Sequence, residues 1–295
     1  MDKKIFLFTE AYSCGFVARK CLESFYKYHP KTKINVFGIN TDFNEVGIFS
    51  NADYHVLDPS VHFHYSRGHA GTAYIWTQVI KEYAKEYDYI IHIDSDVIFR
   101  KEALSLIYDK IEEGYDLIGP VRCYKNNLNG IDNIRGYSDV TQTYFFGFNK
   151  NKISDLKPEV LSLMIEGIYN PLNHPVLDFF DPVAFDILHN GGKIAILNED
   201  LVGGISNERG RVNKYSYLNS DMDFGELLFH FAGIGTGMRI YNKGMQDTNP
   251  GYGKWALERF ALYYKLFYNR HIPDINIDEE KLVKLKEVLH ETNLI

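Results

Sequence analysis

The feature that most limits the possible folds is the alternation of short apolar segments with amphipathic helical patterns over the first ninety residues. The run Ile5 to Phe8 predicts a first strand. Apolar residues then recur at the spacing of one helix face from Val17 to Phe25, and this helix must end near His29-Pro30 because proline cannot continue it. Another apolar run, Ile34 to Ile39, follows. This alternation predicts an α/β fold with a mainly parallel central sheet flanked by helices.

Three helical patterns mark the later part of the chain, and the last two follow one another at its C-terminal end. Asp181-Pro182 supplies an N-cap and a first-turn proline, and Gly191-Gly192 marks the end of the helix that begins there. Beyond Gly253 the pattern predicts two further helices, near residues 255–269 and 278–291. No internal repeat or Ser/Gly linker divides the chain. We therefore predict one α/β domain over residues 1–245 and a helical C-terminal extension, residues 246–295, packed on or beside it.

Charge and cysteine content argue against several classes of function. The 295 residues include 32 Lys plus Arg and 39 Asp plus Glu, a formal net charge of −7 at pH 7. An acidic chain with scattered cations lacks the basic face that binds a phosphate backbone, so we predict no nucleic-acid partner. The apolar run after the N-terminal lysines is too short for a secretory signal or a membrane span, which predicts no transmembrane segment. Three cysteines without disulfide or CxxC spacing indicate free thiols in a reducing compartment, and the predicted location is the cytoplasm.

The strongest local signal is the pair Asp94-Ser95-Asp96 at the end of the apolar strand Tyr89 to Ile93. Side chains alternate along an extended chain, so the two carboxylates leave on the same side. A divalent cation is their natural counter-charge, and oxygen ligands favour Mn²⁺ or Mg²⁺. In open α/β sheets, ligands collect beyond the carboxyl ends of the strands, where this pair lies. The alternative is a simple turn or helix cap, because Asp is common where strands end.

The stretch Ile90-Ile91-His92-Ile93-Asp94-Ser95-Asp96-Val97-Ile98 resembles the metal-binding strand end of GT-A-fold glycosyltransferases. The similarity is to the group that contains glycogenin and the bacterial lipooligosaccharide galactosyltransferases. It implies a Rossmann-like GT-A domain that transfers a sugar from a nucleoside diphosphate sugar, most often a UDP-sugar, in a metal-dependent reaction. The implied acceptor is a carbohydrate-containing molecule, namely a glycan, a glycolipid or a protein-linked sugar. The resemblance favours retention of anomeric configuration, whereas the residues alone leave inversion open.

The resemblance also implies roles for a late segment, His230-Phe231-Ala232-Gly233. In the resembled group, the histidine of this segment is a third metal ligand and a lysine further on contacts the diphosphate. His230 and Gly233 match, whereas Thr236 stands at the lysine position, so Arg239 or Lys243 is the substitute. Gly233, Gly235 and Gly237 either form a loop whose amides approach phosphate oxygens or make only a flexible turn.

Further candidate residues follow from their position in the resembled fold. Asp181 corresponds to a residue that holds the transferred sugar, but Pro182 follows it where the group has Gln or Glu, so Asp178 or Gln142 would have to serve beside the anomeric carbon. The turn after the first strand, Thr9-Glu10-Ala11-Tyr12, is expected to seat base and ribose. Arg67 and His69 are expected to contact the donor. The aromatic strand Tyr144-Phe145-Phe146 and the C-terminal tail are expected to meet the acceptor. The predicted donor-binding residues are Thr9, Glu10, Tyr12, Arg67, Asp94, Ser95, Gly233 and Arg239.

Two other functions remain open at this point. One is a phosphohydrolase of the haloacid dehalogenase type, whose motif also ends an apolar strand with DxD. That motif usually follows the first strand of its chain, whereas Asp94 follows several elements. The other is a catalytically weak sugar-binding protein on the same fold, which the departures at Thr236 and Pro182 would accommodate.

Overall fold

A computed structural model describes residues 3–57, 75–123, 140–141, 143–153, 181–203, 205–206, 223–243 and 250–295. Its main element is a large twisted sheet in which seven strands form a continuous path and two more pair at one edge. A separate three-stranded antiparallel sheet lies beside it. The described strands, in chain order, are β1 (Ile5–Tyr12), β2 (Ile34–Ile39), β3 (Ala52–Val56), β4 (Tyr89–Ile93), β5 (Val97–Phe99), β6 (Leu117–Cys123), β7 (Val140–Thr141), β8 (Phe145–Asn149), β9 (Ile194–Leu197), β10 (Ile205–Ser206), β11 (Asp223–Phe224) and β12 (Leu228–His230).

Strand order in the large sheet is β10-β6-β8-β4-β1-β2-β3, with β7 and β9 both paired to β6. The pairs among β1, β2, β3 and β4 are parallel, as are β6 with β9 and with β10. Only β8 and β7 run antiparallel to their neighbours in this sheet. Every residue of β4 is buried, as expected for a central strand covered on both faces. The prediction of a mainly parallel α/β sheet is confirmed.

Two apolar cores cover the two faces of the large sheet. One packs β1 and β4 against residues of the first long helix, including Cys21, Leu22 and Phe25. The other packs the opposite face against Trp76 and Val79. Helical residues 75–78 continue into a π-helical turn, Val79–Tyr83. The other described helices are α1 (Gly15–Tyr28), α2 (Phe43–Val46), α3 (Leu104–Glu112), α4 (Asp181–His189), α5 (Glu199–Val202), α6 (Ile234–Lys243), α7 (Pro250–Tyr268) and α8 (Glu279–Leu289), with 3-10 turns at Lys150–Lys152 and His290–Thr292.

A third apolar core joins the small sheet to the C-terminal helices. It contains Ile98 of β5, Phe229 of β12, Tyr263 of α7 and Leu285 of α8. Val17 of α1 belongs to the same core, and the Tyr263 hydroxyl donates to its carbonyl oxygen at 3.4 Å. The C-terminal helices thus contact the first helix of the fold. The predicted division at residue 245 stays a prediction.

The first strand is longer than its apolar run predicts. Ile5 to Phe8 is the predicted strand, but β1 continues through Tyr12, in parallel register with β2 as far as Ile39. Thr9 and Glu10 are polar, which predicts a loop. In the structure, their backbone groups are instead paired with those of β2. The placement of residues 9–12 in a turn is therefore wrong. The consequence is that Glu10 and Tyr12 share one face of the sheet, whereas Thr9 points to the other.

Candidate metal centre and donor site

The Asp94-Ser95-Asp96 turn connects the two sheets. It follows β4 of the large sheet and leads directly into β5 of the small one. The Asp94 amide donates to the Tyr144 carbonyl oxygen at 2.8 Å, and the Val97 amide donates to the Asp94 carbonyl oxygen at 3.1 Å. These backbone bonds hold the turn at the carboxyl end of β4, where open α/β sheets collect their ligands.

His230 reaches the same turn because β12 pairs with β5. In this antiparallel pair His230 lies opposite Val97, and the Phe231 amide donates to the Asp96 carbonyl oxygen at 3.0 Å. His230 Nε2 lies 3.2 Å from Asp96 Oδ1 and 3.6 Å from Asp94 Oδ2. The ring of Tyr144 stacks on the imidazole, with centroids 4.4 Å apart and planes 16° from parallel. The structure therefore brings together the three predicted metal ligands.

This set of atoms fits a divalent cation. One ligand atom from each of Asp94, Asp96 and His230 lies within 4.8 Å of the other two. Two carboxylate oxygens and one imidazole nitrogen suit Mn²⁺ and related metals. The stacked Tyr144 ring and the β-pairing fix the histidine before any ion binds. The structure thus contains a possible acidic metal-binding cluster.

A second histidine, His92, extends the cluster on the other side of Asp94. Its Nε2 lies 3.6 Å from Asp94 Oδ1 and 4.0 Å from Glu10 Oε2. The side chain is fully buried between Phe8 and Trp76, and this burial lowers the pKa of His92 to about 3. His92 is not among the site residues predicted from the sequence. The available signal was its position two residues before Asp94, on the same face of the strand.

Arg239 lies at the end of β1, next to Tyr12. Its guanidinium carbon is 5.5 Å from the centroid of the Tyr12 ring, and its Nη2 donates to Thr236 Oγ1 at 3.2 Å. Arg239 lies one helical turn after Thr236, so its long side chain extends back to Thr236, the position where the resembled enzymes have lysine. Burial raises the pKa of the Tyr12 hydroxyl, an effect that the positive charge of Arg239 partly offsets.

Thiols lie beneath the aspartate turn. The Cys14 thiol is buried and hydrogen-bonds the Ser95 side chain, and burial raises the pKa of Cys14 to about 11. The Cys21 thiol lies 3.6 Å from the Asp94 carbonyl oxygen, and burial raises its pKa further. Both cysteines are free. The Ser95 hydroxyl therefore points toward the protein interior, and its predicted contact with a donor stays a prediction.

Two expected contact surfaces differ in the structure. Gly235 and Gly237 lie inside α6 and not in a phosphate-binding loop. Gly233 has a φ of 85° and contacts Trp255 so closely that a Cβ atom would come within 2.3 Å of that ring. Tyr144, Phe145 and Phe146 are buried in the cores, so they present no surface to an acceptor. The expectations of a loop at Gly235 and Gly237 and of an aromatic acceptor surface are therefore wrong, because these glycines lie in a helix and these aromatic side chains pack in the cores. The predicted contact of Gly233 with a donor stays a prediction.

The remaining candidates stay predictions. Thr9 is fully buried on the face opposite Glu10. Asp181 begins α4, as its N-cap pattern predicts. Four candidates lie outside the described residues, namely Arg67, His69, Gln142 and Asp178.

Comparison with known proteins identifies the fold. No family model and no curated protein matches the chain. The crystal structure of an active-site mutant of LgtC matches with a TM-score of 0.51 and 14% identity, over 76% of this chain and 86% of LgtC. The chain has the GT-A fold.

Two further solved structures match with lower TM-scores. The galactosyltransferase LgtC in complex with donor and acceptor sugar analogs matches at 15% identity and a TM-score of 0.46, over 66% of this chain and 74% of that one. The apo form of mouse xyloside xylosyltransferase 1 matches at 12% identity and a TM-score of 0.45, over 77% and 97% of the two chains. Among the described residues, no helix is long and apolar enough to cross a membrane. A GT-A fold by itself does not define a reaction, which must be argued from the site.

Proposed function

We propose that this protein is a metal-dependent glycosyltransferase that moves a sugar from a nucleoside diphosphate sugar to a hydroxyl of a carbohydrate-containing acceptor. The observation that carries the proposal is the cluster of Asp94, Asp96 and His230 at the carboxyl end of the central strand of a GT-A fold. We propose Mn²⁺ or Mg²⁺ as the ion and a UDP-sugar as the donor, with retention of anomeric configuration. A cytoplasmic location stays a prediction.

The residues of the cluster have distinct tasks in this proposal. Asp94 Oδ2, Asp96 Oδ1 and His230 Nε2 would hold the cation, which when bound supplies Lewis-acid stabilisation of the diphosphate leaving group. Tyr144 orients the imidazole by stacking on it. The amide of Phe231 fixes the distance between the two segments by its bond to the Asp96 carbonyl oxygen. This preorganisation supports catalysis, because ligands that are already in place need no reorganisation during reaction.

Residues at the end of β1 support a place for the rest of the donor. Arg239 belongs to α6, the helix that follows His230, and it places a positive charge beside Tyr12. A guanidinium can bind a diphosphate through two N–H groups at once, a task that the resembled enzymes assign to lysine. The first amides of α6 add partial positive charge close to His230. Tyr12 offers a ring for stacking. We propose Glu10, Tyr12 and Arg239 as the donor side of the site.

Activity without acceptor tests this function directly. We would incubate the protein with UDP-, GDP- and dTDP-sugars, with Mn²⁺ or Mg²⁺ and with EDTA, and measure the release of nucleoside diphosphate. We expect metal-dependent release from one class of donor, and a higher melting temperature with that donor and metal, because a ligand that binds only the native state stabilises it. Asp96→Asn should lower the rate by at least about 100-fold, since it removes charge at the developing diphosphate.

The matched control is Asp109→Asn, which makes the same change at an exposed position of α3. It should leave the rate unchanged. No hydrolysis and no stabilisation with any sugar nucleotide would contradict the proposal. Release of phosphate from p-nitrophenyl phosphate would instead identify the phosphohydrolase, and metal-independent glycan binding without hydrolysis would identify the sugar-binding protein.

A further inference from the structure

His92, Glu10 and Asp94 form a second group of metal-ligating side chains, next to the predicted metal centre but without Asp96. One ligand atom from each of the three lies within 4.8 Å of the other two. His92 is fully buried, and Glu10 is mostly buried on the same face of the sheet. Asp94 retains 28% side-chain exposure, so an ion could enter past it.

The hydrogen bonds of His92 define what its ring presents to this group. Its Nδ1 lies 2.9 Å from the Thr143 carbonyl oxygen. A carbonyl oxygen can only accept, so Nδ1 carries the proton and Nε2 of the neutral ring has a lone pair. That Nε2 is buried and has no hydrogen-bond partner among the residues that the structure describes. Its lone pair faces Glu10 and Asp94 oxygens, which when ionised can only accept as well.

A cation bound between these three side chains would satisfy the buried His92 Nε2 and reduce the repulsion between the two carboxylates. An unsatisfied buried nitrogen costs about 1–3 kcal/mol, and two adjacent carboxylates add repulsion. The distances suit a metal ion, because ligand atoms at 2.1 Å from a tetrahedral metal are about 3.4 Å apart. Here the two distances from His92 Nε2 are 3.6 and 4.0 Å. A shift of a few tenths of an ångström would close the site.

Asp94 links this group to the first. Its Oδ1 faces His92, and its Oδ2 faces His230. A carboxylate that directs one oxygen to each of two ligand sets is the bridging arrangement of two-metal sites, whose ions are about 3.5–4 Å apart. We propose that Glu10, His92 and Asp94 bind a second divalent cation, of the Mn²⁺ or Zn²⁺ class, with Asp94 bridging it to the ion at Asp96 and His230.

This second ion would extend the proposed function by adding positive charge at the end of β1, beside Tyr12. Binding can be measured without any sugar nucleotide, so its failure is distinguishable from failure of the transferase reaction. A ligand set of one imidazole and two carboxylates binds Mn²⁺ readily. Mn²⁺ alone is therefore the probe.

The test counts and locates ions in the full-length protein. After dialysis against EDTA, the protein is equilibrated with excess Mn²⁺, bound manganese is counted by equilibrium dialysis, and crystals are examined for anomalous scattering at the manganese edge. We expect two ions per chain, with one peak between His92 and Glu10 and another between Asp96 and His230. His92→Phe should bind one ion fewer.

His29→Phe is the matched control. His29 is a buried histidine that packs between Phe25 and Phe99, at the opposite end of α1 from the cluster. This variant should still bind two ions. A single manganese peak at Asp96 and His230 in the unmodified protein would overturn the second site and leave the proposed transferase centre intact. Retention of two ions by His92→Phe would also overturn the second site. So would the absence of a manganese peak between His92 and Glu10, with a proton shared between His92 and a carboxylate in its place.

Discussion

Replacing Gly237 with alanine tests how closely α6 packs against α7. A Cβ atom at this position would lie 2.1 Å from the Ala256 carbonyl oxygen and 2.8 Å from the Cβ of Phe260. Ala256 and Phe260 belong to α7, and the obstructing oxygen is backbone, which cannot rotate away. The two helices would have to separate by more than 1 Å to restore an ordinary contact. Because α6 follows His230 and carries Arg239, this separation would also disturb the proposed site.

The expected cost is the difference between two opposing effects. Overpacking of a tight contact costs about 1–3 kcal/mol, and a backbone obstruction belongs at the upper end of that range. Alanine in place of glycine within a helix contributes about 0.5–1 kcal/mol of stability. We therefore expect the free energy of unfolding of Gly237→Ala to fall by about 2 kcal/mol.

Urea denaturation followed by circular dichroism measures this difference. We expect a lower midpoint with an unchanged m value, which indicates lost stability without a change in the surface exposed on unfolding. Gly235→Ala is the control, because it lies in the same helix and a Cβ atom there would meet nothing within 4 Å among the described residues. It should be neutral or stabilising by up to about 1 kcal/mol. Equal effects of the two substitutions, or a stabilising Gly237→Ala, would refute the close-packing argument.

Three further predictions concern ionisation, thiol reactivity and donor binding. The pKa of His92 is about 3 when folded and 6.5 when unfolded, so its contribution to stability is complete above about pH 6.5 and is lost as the pH falls toward 3. In EDTA, the free energy of unfolding of His92→Phe should therefore fall by about 2–3 kcal/mol less than that of the unmodified protein between pH 7 and 4.5. Parallel curves of stability against pH for the two proteins would contradict this. Peptide mapping after brief iodoacetamide treatment at pH 8 should find Cys14 and Cys21 unmodified in the native protein and modified in urea, because both are buried and the pKa of Cys14 is about 11. Rapid native labelling would show that these thiols are accessible. If Arg239 binds the diphosphate, Arg239→Ala should raise the KM for the donor about tenfold, which corresponds to the loss of ~1.5 kcal/mol of binding free energy. Arg239→Lys should restore part of the donor affinity. An unchanged KM in Arg239→Ala would exclude this contact.

Local patterns predicted most of the fold. The continuous apolar run of β4, the helix that ends before Pro30 and the Asp-Pro start of α4 were all recognised from neighbouring residues. The extent of β1 was not, because Thr9 and Glu10 are polar. Their strand conformation depends on hydrogen bonds to β2, which is formed by a different part of the chain.

The candidate site shows the same division. Asp94 and Asp96 follow directly from a strand that ends in two spaced carboxylates. His92 lay in the same stretch and was missed, since a histidine within an apolar strand reads as a core residue until its neighbours in space are known. Its proximity to Glu10 arises from the parallel pairing of β1 with β4, in which Phe8 lies opposite His92. The packing of Gly233 and Gly237 was not predicted, because the helix that they contact, α7, is formed by a later part of the chain.

The sequence by itself determined the order of strands and helices and the aspartate pair at the end of β4, because periodicity and turn chemistry act over a few residues. Only the tertiary structure decided which side chains surround that pair. Antiparallel pairing of β12 with β5 brings His230 to Asp96, and parallel pairing of β1 with β4 brings Glu10 to His92. Both contacts depend on backbone hydrogen bonds between distant segments. They turn one recognisable motif into two adjoining groups of side chains that could hold a metal ion and that share Asp94.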